Sequence, residues 1–243
     1  MKSSDRAIVL VLLACSLALL APGLLAPVLT IRGVLTGSQL LDAPRGKALA
    51  ESLKARSVDL QEVPANEFAS AAETESPQGV VAIAEVPERG FRDVADDWKG
   101  VVLVLDGVQD PGNVGTIVRT AAALGAVATV ALPGTVDLWN AKVVRSGMGA
   151  HFRHLAFSST WEELDAFRKS AGARLVAADA AGDALPRSAP AARLVLVVGN
   201  EGAGLSAEAR TRADAHVALP MSRDVESLNV AVATGILLYA LTQ

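Results

Sequence analysis

The chain has 243 residues, enough for one large domain or two small ones. It is 51% hydrophobic, 20% charged and 4% aromatic, which excludes intrinsic disorder, a state of low hydrophobicity and high net charge. A net charge of −4 gives no global attraction to nucleic acid, and the lone cysteine, Cys15, excludes an intramolecular disulfide or a cysteine-built zinc site.

The N-terminus stands apart from the rest. No charged residue occurs from Ala7 to Ile31, and Lys2 and Arg6 precede the run. The stretch AIVLVLLACSLALLA matches the apolar core of a signal peptide or a short membrane anchor. As a helix it would be about 22 Å long, short of a ~30 Å bilayer core, and Pro22, Gly23 and Pro27 interrupt its extension. The competing readings are a buried helix of a small α/β domain and a misassigned start.

Next come a strand over 27–35, a short amphipathic helix over 47–56, a strand over 58–63 and the apolar strand VVAIAEV. The charged run that ends at Lys99 reads as a linker. Beyond it, apolar strands alternate with helices. Strands are predicted over 101–105, 127–132, 173–179, 193–199 and 216–221, and helices over 114–124, 138–146, 161–170 and 227–241. Continuous aliphatic runs such as VVLVL suit parallel strands buried on both faces, so the pattern predicts a doubly wound α/β sheet. The predicted segments are 1–26 (apolar, of open role), 27–90 (small α/β domain), 91–99 (linker) and 100–243 (main domain).

Three loops follow strand ends, where open α/β sheets place their ligands. In DGVQDPGNVGTIVRTA, Asn113 is placed to cap the next helix and Arg119 lies within it. In GNEGAGLS the glycines let backbone amides approach a ligand. Its spacing is neither the dinucleotide fingerprint nor a phosphate-binding P-loop, and Glu201 would repel phosphate, so the ligand is not a polyphosphate. In LPMSRDVESLNVAVATG, Ser227 is a helix N-cap candidate, and Asn229 needs a partner because asparagine is unfavourable inside an apolar helix. Arg145–Ser146–Gly147 lacks a serine-hydrolase elbow, and His151 and His154 read as surface or core residues rather than metal ligands.

Together the loops resemble the SpoU (TrmH) family of RNA ribose 2′-O-methyltransferases, of the SPOUT class. Its first motif is matched by Asn113, Gly115 and Arg119, and its second, Gly-Asn-Glu-Gly-x-Gly, by residues 199–204. Its third is matched by Pro220, Met221 and Ser227 to Ala231, and KVVRSGMG (142–149) is similar to a further element.

This resemblance implies a C-terminal α/β knot, a trefoil-knotted parallel sheet with flanking helices, beside a small N-terminal α/β domain of the RNA-binding kind. It implies S-adenosylmethionine as methyl donor, held by Gly199, Asn200, Gly202, Leu219, Met221 and Leu228, with no metal. The catalytic set it implies is Arg119, Asn113, Glu201, Ser227 and Asn229, acting on structured RNA, ribosomal in preference to transfer RNA. It also implies a homodimer, with the site near the subunit interface, in the cytoplasm. The apolar residues 1–26 replace the basic opening usual in the family, which leaves room for a membrane anchor. The alternatives are a catalytically inactive RNA-binding knot and a membrane-tethered interaction module.

Overall fold

The computed structural model describes residues 8–11, 30–42, 44–72, 79–184, 193–222 and 227–242. Two compact units emerge: Met1–Pro87 with Trp139–Arg153, and Glu88–Leu138 with His154–Gln243.

In the first unit, β1 (Ile8–Val11), β2 (Ile31–Thr36), α1 (Pro44–Ala55), β3 (Leu60–Glu62), α2 (Ala65–Ala72) and β4 (Val80–Glu85) follow in chain order. The sheet order is β1-β4-β2-β3, with β4 antiparallel to both β1 and β2, and β2 parallel to β3 across α1. Phe68 and Ala72 of α2 bury against Val81, with Leu35 and Val63 alongside. The membrane, signal and buried-helix readings of the apolar N-terminus lie outside the described residues except at Ile8–Val11. There the chain is a strand rather than a helix, in keeping with β-branched Ile8, Val9 and Val11. Among the described residues, no helix is long and apolar enough to cross a membrane.

The second unit begins at Glu88, and the residues predicted as a linker, 91–99, pack into it. Val94 and Trp98 are buried, and Phe91 stacks on Phe167 with ring centroids 4.4 Å apart. Aromatic side chains within the charged run give it a place in the core. The unit continues with β5 (Gly100–Asp106), α3 (Pro111–Ala123) and β6 (Ala128–Ala131). The next helix, α4 (Ala141–Ser146), belongs to the first unit, where it lies against β1 and where Trp139 meets His151 edge-on. These residues fall within the predicted main domain, 100–243. Then come β7 (Ala156–Ser158), α5 (Trp161–Ala171), β8 (Arg174–Ala184), β9 (Arg193–Gly199), α6 (Ala207–Arg212), β10 (Ala215–Ala218) and α7 (Val230–Thr242).

The six strands of this unit run β10-β8-β9-β5-β6-β7, and every neighbouring pair is parallel. Val101 to Leu105 of central β5 are fully buried. Val102 and Val104 join Val195, Val197, Trp161 and Leu164 in one core, whereas α3 and α7 pack together on the other side and α7 lies on β5 and β9. Strand order reverses between β5 and β9, so the crevice expected of an open α/β sheet falls at their carboxyl ends.

Candidate active site

The loop after β9 is a closed ring. Asn200 and Gly204 exchange two backbone hydrogen bonds, at 2.9 and 3.0 Å. The Asn200 Oδ1 accepts the N–H groups of Gly202 and Ala203, both at 2.9 Å, and its Nδ2 donates to the Gly107 carbonyl at 2.8 Å. A Cβ on Gly199 would lie 2.5 to 2.6 Å from backbone atoms of Gly204 and Leu205, so the ring closes only over glycine. Buried Asp106, at the end of β5, accepts the Ser206 N–H at 2.7 Å and clasps the ring's exit.

The second feature is a hydrogen-bonded chain across all three loops. Glu201 Oε1 accepts from Asn113 Nδ2 at 3.0 Å and from the Asp110 N–H at 3.3 Å, and Oε2 accepts from the Gln109 N–H at 3.3 Å. Asn113 Oδ1 accepts in turn from Asn229 Nδ2 at 3.0 Å. Partial burial pushes the Glu201 carboxyl up. Hydrogen bonds from Asn113, from its own backbone N–H and from those of Gln109 and Asp110 outweigh this and hold it below the ordinary glutamate value.

Two capping assignments differ from the sequence reading. Asp110, not Asn113, caps α3 by accepting the Asn113 N–H at 2.7 Å. Pro111 starts the helix, where its fixed φ and missing N–H cost nothing, so Asn113 falls one turn in and its amide is free to bridge. Asn229, not Ser227, caps α7, since its Oδ1 accepts from Ala231 at 2.9 Å and Val232 at 3.3 Å. The partner that Asn229 needs is therefore its own helix end together with Asn113.

Beside these loops is a cavity of about 390 Å³, within the ~300–1,000 Å³ usual for small-molecule sites. Gly199, Asn200, Gly202, Leu219, Met221 and Leu228 all line it, as do Glu201 and Ser227. Asn113 and Asn229 connect to it through Glu201. Arg119 is not among the lining residues. It is exposed on α3, roughly 120° around the helix from Asn113, with no hydrogen-bond or ion-pair partner among the described residues. Sequence reasoning missed Asp106 and Asp110; an aspartate ending an otherwise aliphatic strand and one preceding a proline were the available signals.

A parallel sheet bearing a glycine-rich pocket beyond the carboxyl end of β9, beside β8 and β10, resembles the α/β proteins that bind a small molecule at the strand ends. Residues 100–239 match the SpoU rRNA Methylase family, and the chain belongs to that family. It is similar to the 23S rRNA (guanosine(2553)-2'-O)-methyltransferase RlmP of Bacillus subtilis, 37% identical over 72% of this chain and 68% of that protein. It is likewise similar to the 23S rRNA (adenosine(1067)-2'-O)-methyltransferase of Streptomyces laurentii, 37% identical over 68% of this chain and 63% of that protein. The crystal structure of an AdoMet-bound rRNA methyltransferase from Sinorhizobium meliloti superposes with a TM-score of 0.80 at 30% identity, covering 96% of this chain and 86% of that one.

Proposed function

We propose that this protein methylates a ribose 2′-hydroxyl of ribosomal RNA with S-adenosylmethionine as donor. The observation that carries this reading is the Glu201–Asn113–Asn229 chain at the mouth of a glycine-rich pocket. The pocket suits the donor. Among the described residues its charged lining groups are Asp179 and Glu201, both acidic, which favours a cationic sulfonium and disfavours a polyphosphate. Leu219, Leu228 and Val217 supply apolar surface for a base, and the Gly199–Gly204 ring supplies backbone groups.

S-adenosylmethionine, when bound, supplies an electrophilic methyl group. The ribose hydroxyl is a very weak acid, so its proton must pass to water, and the charge growing on its oxygen must be stabilised, as the new oxygen–carbon bond forms and the donor's carbon–sulfur bond breaks. A guanidinium is a fixed cation and a poor base, so Arg119 acts through its charge: it holds the adjacent phosphate in its planar fork and stabilises the incipient alkoxide. Glu201, Asn113 and Asn229 hold the loops in one register, and Ser227 lines the mouth where the ribose enters.

The rest of the reading concerns the whole protein. The C-terminal unit folds as a trefoil knot and pairs as a homodimer, the N-terminal unit contributes RNA binding, and the protein works in the cytoplasm. Ribosomal RNA is preferred to transfer RNA because the two relatives named above carry 23S rRNA in their names, at different nucleotides.

Calorimetry on the full chain tests the donor. One S-adenosylmethionine site per subunit is expected, lost in Gly199→Leu because the side chain forces the ring open. Transfer of labelled methyl groups to ribosomal RNA, mapped as 2′-O-methyl ribose, tests the acceptor. Arg119→Lys keeps charge without the fork and is expected to lose about 100-fold in transfer rate. A folded chain that does not bind the donor overturns the reading.

A further inference from the structure

The pocket has a second acidic wall that the three loops do not account for. Val176 and Ala177 of β8 are in register with Ala215 and His216 of β10, and Asp183 and Ala184 with Val217 and Ala218, but residues 178–182 between them have no partner on β10. Pairing with β9 also ends at Ala177. Such excursions re-aim side chains beside functional sites, and here Ala178, Asp179 and Ala180 line the pocket. A Cβ on Gly182 would lie 2.6 to 2.8 Å from backbone atoms of His216 and Val217, so glycine is what lets the chain return to the sheet.

Within this excursion the Asp179 carboxylate is held from two sides, with His216 beside it. Its Oδ1 accepts the Ala181 N–H at 3.1 Å, its Oδ2 pairs with Arg210 Nη1 of α6, and His216 Nδ1 lies 3.9 Å from Oδ2. The Asp179 side chain is 11% exposed, whereas that of Arg210 is 47% exposed. An ion pair with so wet a partner contributes little to stability, yet placing a carboxylate in a cavity wall costs desolvation. Each carboxylate oxygen has about two acceptor positions, and Ala181 occupies one of those on Oδ1. A fixed acceptor with a vacant position in a pocket wall is suited to a ligand's donor group.

We propose that Asp179 is a recognition residue for the methyl donor. Its fixed carboxylate accepts a hydrogen bond from an O–H or N–H of S-adenosylmethionine, from either the ribose diol or the α-ammonium. Arg210 is a positioning residue that sets the carboxylate's orientation. This inference rests on the methyl-transfer reading, and the two fail separately: absence of binding by the wild type overturns that reading, whereas unchanged binding by the Asp179 variants overturns only this one.

The experiment is calorimetry on the full chain and its Asp179→Ala, Asp179→Asn and Arg210→Ala variants. The probes are S-adenosylmethionine, S-adenosylhomocysteine and methylthioadenosine, which keeps the ribose but lacks the ammonium. Asp179→Ala is expected to weaken S-adenosylmethionine binding by about tenfold or more, the lower end of a charge-assisted hydrogen bond. Arg210→Ala is expected to weaken it less. A loss shared by methylthioadenosine assigns the donor to the ribose, and a loss confined to the two ligands with the amino-acid tail assigns it to the ammonium. If Asp179→Ala melts below the wild type, Asp179→Asn decides: a loss above about threefold carries the proposal and a smaller one overturns it.

Discussion

Glu201 joins two roles in one side chain. Its carboxylate ties the ring after β9 to the first turn of α3, and through Asn113 to the cap of α7. Because its pKa is lowered on folding, its stabilising contribution is fully present above the ordinary glutamate value of about 4.3. The contribution is lost as pH falls through that value and then through the lower folded-state value. Glu201→Gln is therefore expected to melt with a shallower acid dependence than the wild type between about pH 3 and 5, read by thermal denaturation across that range. At neutral pH the same variant must turn an amide toward the Gln109 and Asp110 N–H groups, and it loses transfer activity. An unchanged acid slope would show that the chain across the three loops carries no linkage. Much of this residue-level picture was legible in the motif spacing, which singled out Asn113, Glu201 and Asn229. Who bonds whom was not, because both helix starts lie a few residues from where side-chain type alone puts them.

At the scale of elements, aliphatic runs made β5, β8 and β9 readable, since a strand covered on both faces has no polar side to interrupt it. Two short elements, β7 and α6, carry too little period of their own to be seen. β7 is three residues and α6 is six, and both depend on neighbours in the folded unit. The break between β8 and β10 is invisible for the same reason, because ARLVAADAAGDA alternates too weakly to fix a register. The α3 cap offers a test of how far an element's end serves the site. Asp110 caps α3 with its side chain and donates its N–H to Glu201. Thr160 caps α5 away from the pocket, accepting from Glu163 at 3.3 Å. Asp110→Ala and Thr160→Ala should each cost about 0.5–2 kcal/mol in urea denaturation. Only Asp110→Ala is expected to lower the transfer rate at saturating S-adenosylmethionine. Equal activity in the two variants would reduce the α3 cap to a matter of stability alone.

For the molecule as a whole, α7 presents an apolar surface to solvent. The helix buries Ala231, Thr234, Leu237, Leu238 and Leu241, yet leaves Val232, Ile236 and Tyr239 at 52%, 45% and 60% exposure. These three recur at i, i+4 and i+7 and so form one apolar stripe. The sequence made the helix visible as an apolar run but not which of its faces stays open, because apolar residues occupy nearly its whole circumference. α3 runs beside it, with the Thr120 methyl carbon 3.4 Å from where a Cβ on Gly235 would lie, and the exposed Arg119, next in sequence to Thr120, does not line the pocket of its own chain. The homodimer proposed above, if it forms over α7, would cover the stripe and let Arg119 serve the partner's pocket. Ile236→Lys sets a charge in the middle of that stripe without touching the buried face. It is expected to sediment as a monomer where the wild type sediments as a dimer, to retain S-adenosylmethionine binding by calorimetry, and to lose methyl transfer. A wild type that remains monomeric at micromolar concentration, or a monomeric variant with full transfer activity, would place Arg119's work within a single chain.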